Sequence, residues 1–310
     1  MANDFTLFPG QRKKISFNPF TLMMMGGPLI AGQALWVDST SAVKANTPAA
    51  GTKEQPFSTL AYAISRATAS KGDTIFLAPG HAETTTAIAL NIAGVQIVGL
   101  GVGRNRPTLT ATTAASDLLN VTAANCALTN VRLVGAASGV TSLLDLSSAA
   151  DDFYGDSISF EHGATPLEAV TISAQRWTFE DCTWLGTANG PDRCISIEAR
   201  SDNWRLIRPR FLYLAGLDNE LIKSVKVCAG YLIEDVYAVG LDTLVVNFAS
   251  SSAGPPDGLF ASGNVMYSAA VTSIEDGVAA ATSKGMAFGR VWATDVTGAR
   301  SGGIPIATAS

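Results

Sequence analysis

The chain has 310 residues, of which 47% are apolar and only 15% charged, with 29 glycines and a formal net charge of −5. No basic run exceeds Arg12-Lys13-Lys14, so nucleic acid has no electrostatic footprint to bind. Four cysteines without a C-x-x-C pair, and two histidines, His81 and His162, offer neither zinc-ligand spacing nor a disulfide framework. The composition suits many short strands joined by tight turns, assembled in a reducing cytosol.

Residues 1–35 lie outside any periodic pattern. Phe17, Phe20, Met23, Met24 and Met25 are apolar without helical or strand spacing, and Pro9-Gly10, Asn18-Pro19 and Gly26-Gly27-Pro28 interrupt any long helix. Arg12-Lys13-Lys14 followed by Phe20 to Ile30 and Ala31-Gly32-Gln33-Ala34 imitates a secretory signal. The breaks and the late basic cluster argue against that role, and the apolar stretch is too short to span a membrane. The expectation is an extended interaction arm that buries Phe17, Phe20 and Met23 to Met25 against a partner.

Residues 36–72 form a capping segment. Leu60, Tyr62, Ala63, Ile64 and Ala67 have the spacing of an amphipathic helix, with Ser58 or Thr59 as its cap and Lys71-Gly72-Asp73 as its stop. Thr74 to Ala78 reads as the first strand. A helix here would cover the open end of a stacked core.

Residues 73–310 carry a repeat. Aromatic residues lead similar strands at Trp177, Trp204 and Tyr231, two steps of 27. A polar column follows these strands at Asn130, Asp156, Asp181, Arg208 and Asp235. A second strand column runs through Val121, Leu146, Ile172, Ile197, Ile222 and Val246, at intervals of 24 to 26. Two columns sharing a period of about 25 residues predict stacked coils whose strands pair in parallel. Roughly eight coils at about 4.8 Å would make a rod of about 40 Å. Phe179, Leu206 and Ile233 should stack inward in one column, and Ile172, Ile197, Ile222 and Val246 in another.

Trp36-Val37-Asp38, the run Gly51 to Leu60, and Gly72 to Gly80 resemble the opening segment of pectin-lyase-like β-helix proteins. Pro79-Gly80-His81-Ala82-Glu83 and Val95 to Gly101 resemble β-helix proteins of tailed-phage genomes. The resemblance covers roughly residues 36 to 300. It implies an all-β, right-handed parallel β-helix, with the polar column matching the stacked Asn position of that family. It also sets the chemistry to look for. Lyases of this fold use calcium-binding carboxylates with an Arg or Lys base, and hydrolases use paired carboxylates.

The strongest candidate for such chemistry is the glycan site Asp181, Arg208 and Asp235, flanked by Glu180 and Glu234. An Arg between the acids, however, neutralises what calcium or a shared proton requires. Asp151-Asp152 with Asp156 lacks the oxygen-ligand pattern of a calcium loop and reads as a solvated turn. Arg205 and Arg210 read as decoration of an outer face. His81 and Glu83 read as turn-formers rather than a catalytic pair, and His162 as solvent-facing. Trp177, Trp184, Trp204 and Phe211 are expected in the core, as are Cys126 and Cys182.

These observations set the expected function. It is a non-enzymatic structural protein of a tailed-phage virion, most simply a capsid decoration or cement protein. It would be a homotrimer, assembled in the host cytoplasm, and anchored by its arm to the major capsid protein or another virion protein. No cofactor and no metal are expected. The alternatives are a tail appendage or tailspike-type depolymerase acting on host glycan, and a secreted glycan-binding β-helix.

Overall fold

The computed structural model describes residues 32–114, 116–162, 168–186, 191, 193–217, 220–224, 228–241, 244–248, 257–267, 275–276 and 286–295. The expected arm, with Phe17, Phe20 and Met23 to Met25, lies outside the described residues.

The ladder opens at β1 (Ala34–Val37), which pairs in parallel with β2 (Thr74–Leu77). Between them lies α1 (Leu60–Arg66), where Thr59 supplies the cap: its hydroxyl accepts from the Tyr62 N–H at 3.3 Å. Leu60, Ala63 and Ile64 are buried, so this face of the helix closes the end of the core. The helix stops at Arg66, well short of the expected Lys71-Gly72-Asp73. Asp73 is the reason: one carboxyl oxygen accepts from the Thr68 N–H at 2.7 Å and the other from Gln33 N–H at 2.7 Å, drawing the chain out of the helix.

Each coil supplies three short strands. The first holds β2, β3 (Ala82–Thr85) and β4 (Ile88–Leu90), and the second β5 (Gln96–Gly99), β6 (Thr108–Ala111) and β7 (Leu119–Val121). The third holds β8 (Ala127–Thr129), β9 (Arg132–Gly135) and β10 (Ser142–Leu146), and the fourth β11 (Tyr154–Asp156), β12 (Ser159–His162) and β13 (Glu168–Ile172). The fifth holds β14 (Thr178–Glu180), β15 (Thr183–Gly186) and β16 (Arg193–Ile197). Corresponding strands pair in parallel from coil to coil, making three faces. Beyond Ile197, β17 (Arg205–Ile207), β18 (Arg210–Leu217), β19 (Glu220–Ser224), β20 (Ala229–Glu234), β21 (Val236–Leu241) and β22 (Leu244–Phe248) add to the same ladders. Connections and side chains there lie partly outside the described residues. The protein is thus a mostly-β parallel solenoid of about five turns with one short helix, and roughly eight coils are not supported.

Core columns follow from the register. Ile75, Ile97, Leu128, Gly155, Phe179, Leu206 and Ile233 are successive partners, as expected for the last three. The second expected column needs correction. Ile172 pairs with Ile197, but Ile197 then pairs with Ser224, whereas Ile222 follows Ile195 and leads to Val246. The chain slips by two residues between β16 and β19. A slip of two keeps every side chain on its face, so apolar alternation cannot reveal it.

Large rings fill the lower coils. Trp177 stacks on Trp204 at 4.7 Å and Trp204 on Tyr231 at 4.8 Å, nearly face to face. Phe160, Trp184 and Phe211 form a parallel stack with centroids 4.9 and 4.7 Å apart. The spacing is that of the strands, so each ring meets its counterpart without bending the backbone. Such pairs contribute about 0.5–1.5 kcal/mol each beyond area burial.

Gly155 makes room for one of these rings. A Cβ there would lie 2.5 Å from Phe179 Cδ1 and 2.9 Å from Ile158 Cδ1. Gly155→Ala should therefore lower stability by about 1–3 kcal/mol in urea unfolding. Adding Phe179→Leu should recover part of that loss, a coupling that independent sites would not show.

Candidate functional site

The expected polar column lies at a two-residue turn between the first and second faces. Asn130, Ser157, Asp181, Arg208 and Asp235 adopt φ between 49° and 56°, the left-handed region. Asp156 is not a member. It ends β11 and pairs with Thr129 and Glu180, so Ser157 takes the turn. Left-handed backbone costs of order 1 kcal/mol or more for such residues. It is held by a ladder in which each turn N–H donates to the coil below: Asn130 to Asp156 O at 2.9 Å, Ser157 to Glu180 O at 2.9 Å, Asp181 to Ile207 O at 3.0 Å and Arg208 to Glu234 O at 2.8 Å. The residue after each turn faces inward, and Val131, Ile158 and Cys182 are fully buried.

The turn brings Asp181 and Arg208 together as anticipated. Arg208 Nε and Nη2 donate to the two Asp181 oxygens at 2.7 Å, and Nη2 also reaches Glu180 Oε1 at 2.5 Å. These bonds push the guanidinium pKa further up, so its charge is permanent. Tyr154 donates its hydroxyl to the other Glu180 oxygen at 2.8 Å. Asp235 holds the next place in the column, one coil on.

A second left-handed column, absent from the sequence reading, runs through the corner between the third and first faces. Asn125, Asp152, Arg176 and Asn203 have φ of 55° to 60° and pass N–H groups to the next coil in the same way. There too an Arg grips the acid one coil before it. Arg176 donates to both Asp152 oxygens at 2.7 and 2.9 Å and to Asp151 at 3.0 Å. The Asp151-Asp152 cluster is thus an ion pair, not a free acidic turn.

The less conspicuous acids lie on the third face. Asp145 stands outward on β10, in register with Asn120 and Thr171. Burial, with Asp117 nearby as the lesser cause, pushes its pKa up to about 6. Asp117 accepts from the Ser142 hydroxyl at 2.8 Å. Farther along, burial raises Glu168 despite its 2.8 Å bond from Arg193. The signal available in the sequence was Asp145 alone between Leu144 and Leu146, an acid sharing a strand with three core leucines. Among the described residues no group of His, Cys, Asp and Glu is arranged to hold a metal.

Both histidines are buried. His81 is 1% exposed; its Nδ1 accepts from Ser39 N–H at 3.0 Å and its Nε2 lies 3.3 Å from Glu83 Oε2. That Glu83 oxygen also accepts from Leu60 N–H, the first residue of α1, at 2.8 Å. The pair therefore ties the capping segment to the first coil. His162, expected to face solvent, is 2% exposed in register between Gly135 and Gly186, and burial pushes its pKa down to about 4. Its place two residues after the inward Phe160 foretold this.

No family model and no curated protein matches the sequence. Solved structures do. A rhamnogalacturonan lyase superposes with a TM-score of 0.56 at 11% identity, over 77% of this chain and 74% of that one. The pectate lyase Pel9A scores 0.46 at 11% identity over 80% and 79%, and the Geobacillus virus E2 protein ORF18 scores 0.46 at 10% over 84% and 60%. The first likeness defines the class of fold: the chain is a pectin-lyase-like parallel β-helix. The lower-scoring pair add no argument about its role.

The raised Asp145 has a measurable consequence. An acid whose native pKa lies above its unfolded value favours the fold while protonated. Its contribution is present below about pH 4 and lost as pH rises through about 6. Asp145→Asn should abolish that loss, so the stability gap between wild type and variant should change by order 1 kcal/mol between about pH 4 and 7, the half-exposed site being screened. Urea titrations at both pH values measure it, and a constant gap would place Asp145 in solvent.

Proposed function

We propose that the protein is a non-enzymatic structural component of a tailed-phage virion, a capsid decoration or cement protein. It acts as a homotrimer, assembled in the host cytoplasm and held by residues 1–35 on the major capsid protein or another virion protein. The observation that carries the non-catalytic part is a repetition. The Arg208–Asp181 pair has a double at Arg176–Asp152, in another corner of the solenoid, with the same left-handed backbone and the same one-coil offset. A device used twice in unrelated corners is a staple for stacking, not a reaction centre. The phage part is supported by the resemblance of Pro79 to Glu83 and of Val95 to Gly101 to β-helix proteins of tailed-phage genomes.

Capsular and pectic polysaccharides should survive incubation with the purified protein, with or without calcium. Reducing ends or unsaturated uronate that appear with wild type but not with Asp181→Ala or Asp145→Asn would replace this reading by a depolymerase.

Assembly tests the rest. Deleting residues 2–30 leaves β1 intact, so circular dichroism should show a folded β-helix. The same deletion should abolish incorporation, measured by mass spectrometry and cryo-electron microscopy of purified particles. Density on the shell is the expected location for wild type. Density on the tail would make the protein an appendage, and normal incorporation of the truncated chain would remove the arm from the mechanism.

A further inference from the structure

The first face carries an apolar cluster that is separate from the core. Ile75, Leu77 and Ile97 point inward, so Phe76 and Val98 point outward. They are partners in the ladder, with Trp36 one coil before Phe76 and Thr129 one coil after Val98. Phe76 is nevertheless 0% exposed, Val98 3% and the adjoining Leu100 9%. Farther along, the outer first face behaves differently. Thr129, Asp156 and Glu180 continue the same column and are partly exposed, and Tyr154 on that face is 39% exposed. β2 is buried at all four positions, whereas β8 and β14 alternate. A strand buried on both sides has a layer against each.

Trp36 packs on the cluster from the next strand, its ring 5.1 Å from that of Phe76, and is itself partly exposed. These exposures are those of one chain by itself, so the covering layer is part of the same chain. Residues 1–31 fit that place. They lead through Gly32 and Gln33 into β1, which lies two strand spacings from Val98, roughly 10 Å. Met23 to Met25 stand less than ten residues before Gly32, a reach of up to roughly 30 Å, and Gly26-Gly27-Pro28 supplies a reversal between them. Phe17, Phe20 and three consecutive methionines suit a patch of rings and branched aliphatics. The other end of the chain fits poorly. Residues 296–310 follow the strand Met286–Asp295, eight spacings down the same ladder from β2 and roughly 38 Å away. They contain neither Met nor an aromatic residue.

We propose that residues 1–31 fold back over this patch in cis, with Phe17, Phe20 and Met23 to Met25 on Phe76, Val98 and Trp36. The free protein thus carries its arm stowed along the first face, and a partner competes with the rod for the same apolar side chains. The inference rests on the reading of this segment as an arm only for what displaces it.

Photocross-linking tests it on the full-length protein. A benzoylphenylalanine placed at Phe20 should, after irradiation and peptide mapping by mass spectrometry, link within one chain to segments holding Trp36, Phe76 or Val98. Val98→Asp, an outward position, should keep the circular dichroism of the β-helix and abolish the link. It should also speed tryptic cleavage at Arg12-Lys13-Lys14 about tenfold or more, as for a segment released from its packing. Gln96→Asp, on the exposed end of β5, should change neither. Links that are absent, that fall elsewhere or that join two chains overturn the proposal, as do unchanged links and cleavage in a folded Val98→Asp protein. If Val98→Asp does not fold, the wild-type map decides. No particle enters these measurements, so failure to incorporate into virions would sink the proposed function and leave this docking standing.

Discussion

Parallel pairing in register is the constraint on which the rest of this molecule depends. Each strand lies directly above its counterpart, so every side chain meets the same position of the neighbouring coil at about 4.8 Å. That distance rewards like-with-like stacking of apolar groups and penalises like charges. Trp177, Trp204 and Tyr231 obey the first rule. Glu168 above Arg193, Asp152 before Arg176 and Asp181 before Arg208 obey the second. Asp156 beside Glu180 departs from it and is held above its usual pKa, chiefly by burial. Opposite charges on adjacent coils explain why the sequence offers acids and arginines in pairs that look catalytic when read one coil at a time.

What was legible in the sequence follows from the same constraint. The column Phe179, Leu206 and Ile233 could be read because large apolar residues recur at one spacing and nothing intervenes. The Ile197 to Ile222 step could not, because β16 and β19 differ by a two-residue offset that leaves alternation intact. Asp156 was mistaken for the turn residue because the turn position tolerates Asn, Ser, Asp and Arg alike, and only the backbone angle distinguishes Ser157 from its neighbour. Asp145 was passed over because its raised pKa comes from burial and from Asp117, 28 positions away in sequence (145 less 117) and one coil away in space. Chemistry created by stacking leaves little trace in a linear string.

The buried polar groups near the first coil illustrate how a solenoid ends. An open core must be closed by something that is itself not a coil. Here α1 supplies apolar cover through Leu60, Ala63 and Ile64. Its first N–H is satisfied by Glu83 from the coil it covers, while His81 reaches Ser39 on the strand side. Three segments distant in sequence thus share one hydrogen-bonded knot, and the cap seats in one orientation.

The two-residue turn between the first and second faces has a consequence for how such a chain can change over time. Asn130-Val131, Ser157-Ile158, Asp181-Cys182 and Arg208-Pro209 have identical length, each with one left-handed residue outside and one buried residue inside. Along these four coils an insertion would break the N–H ladder and expel a core side chain together, so the edge admits point replacements but no change of length. Toward the capped end the same corner is longer, with four residues between β2 and β3 and eight between β5 and β6. Length enters this seam only before the ladder begins, and from Asn130 to Arg208 it stays straight whatever the rod is adapted to touch.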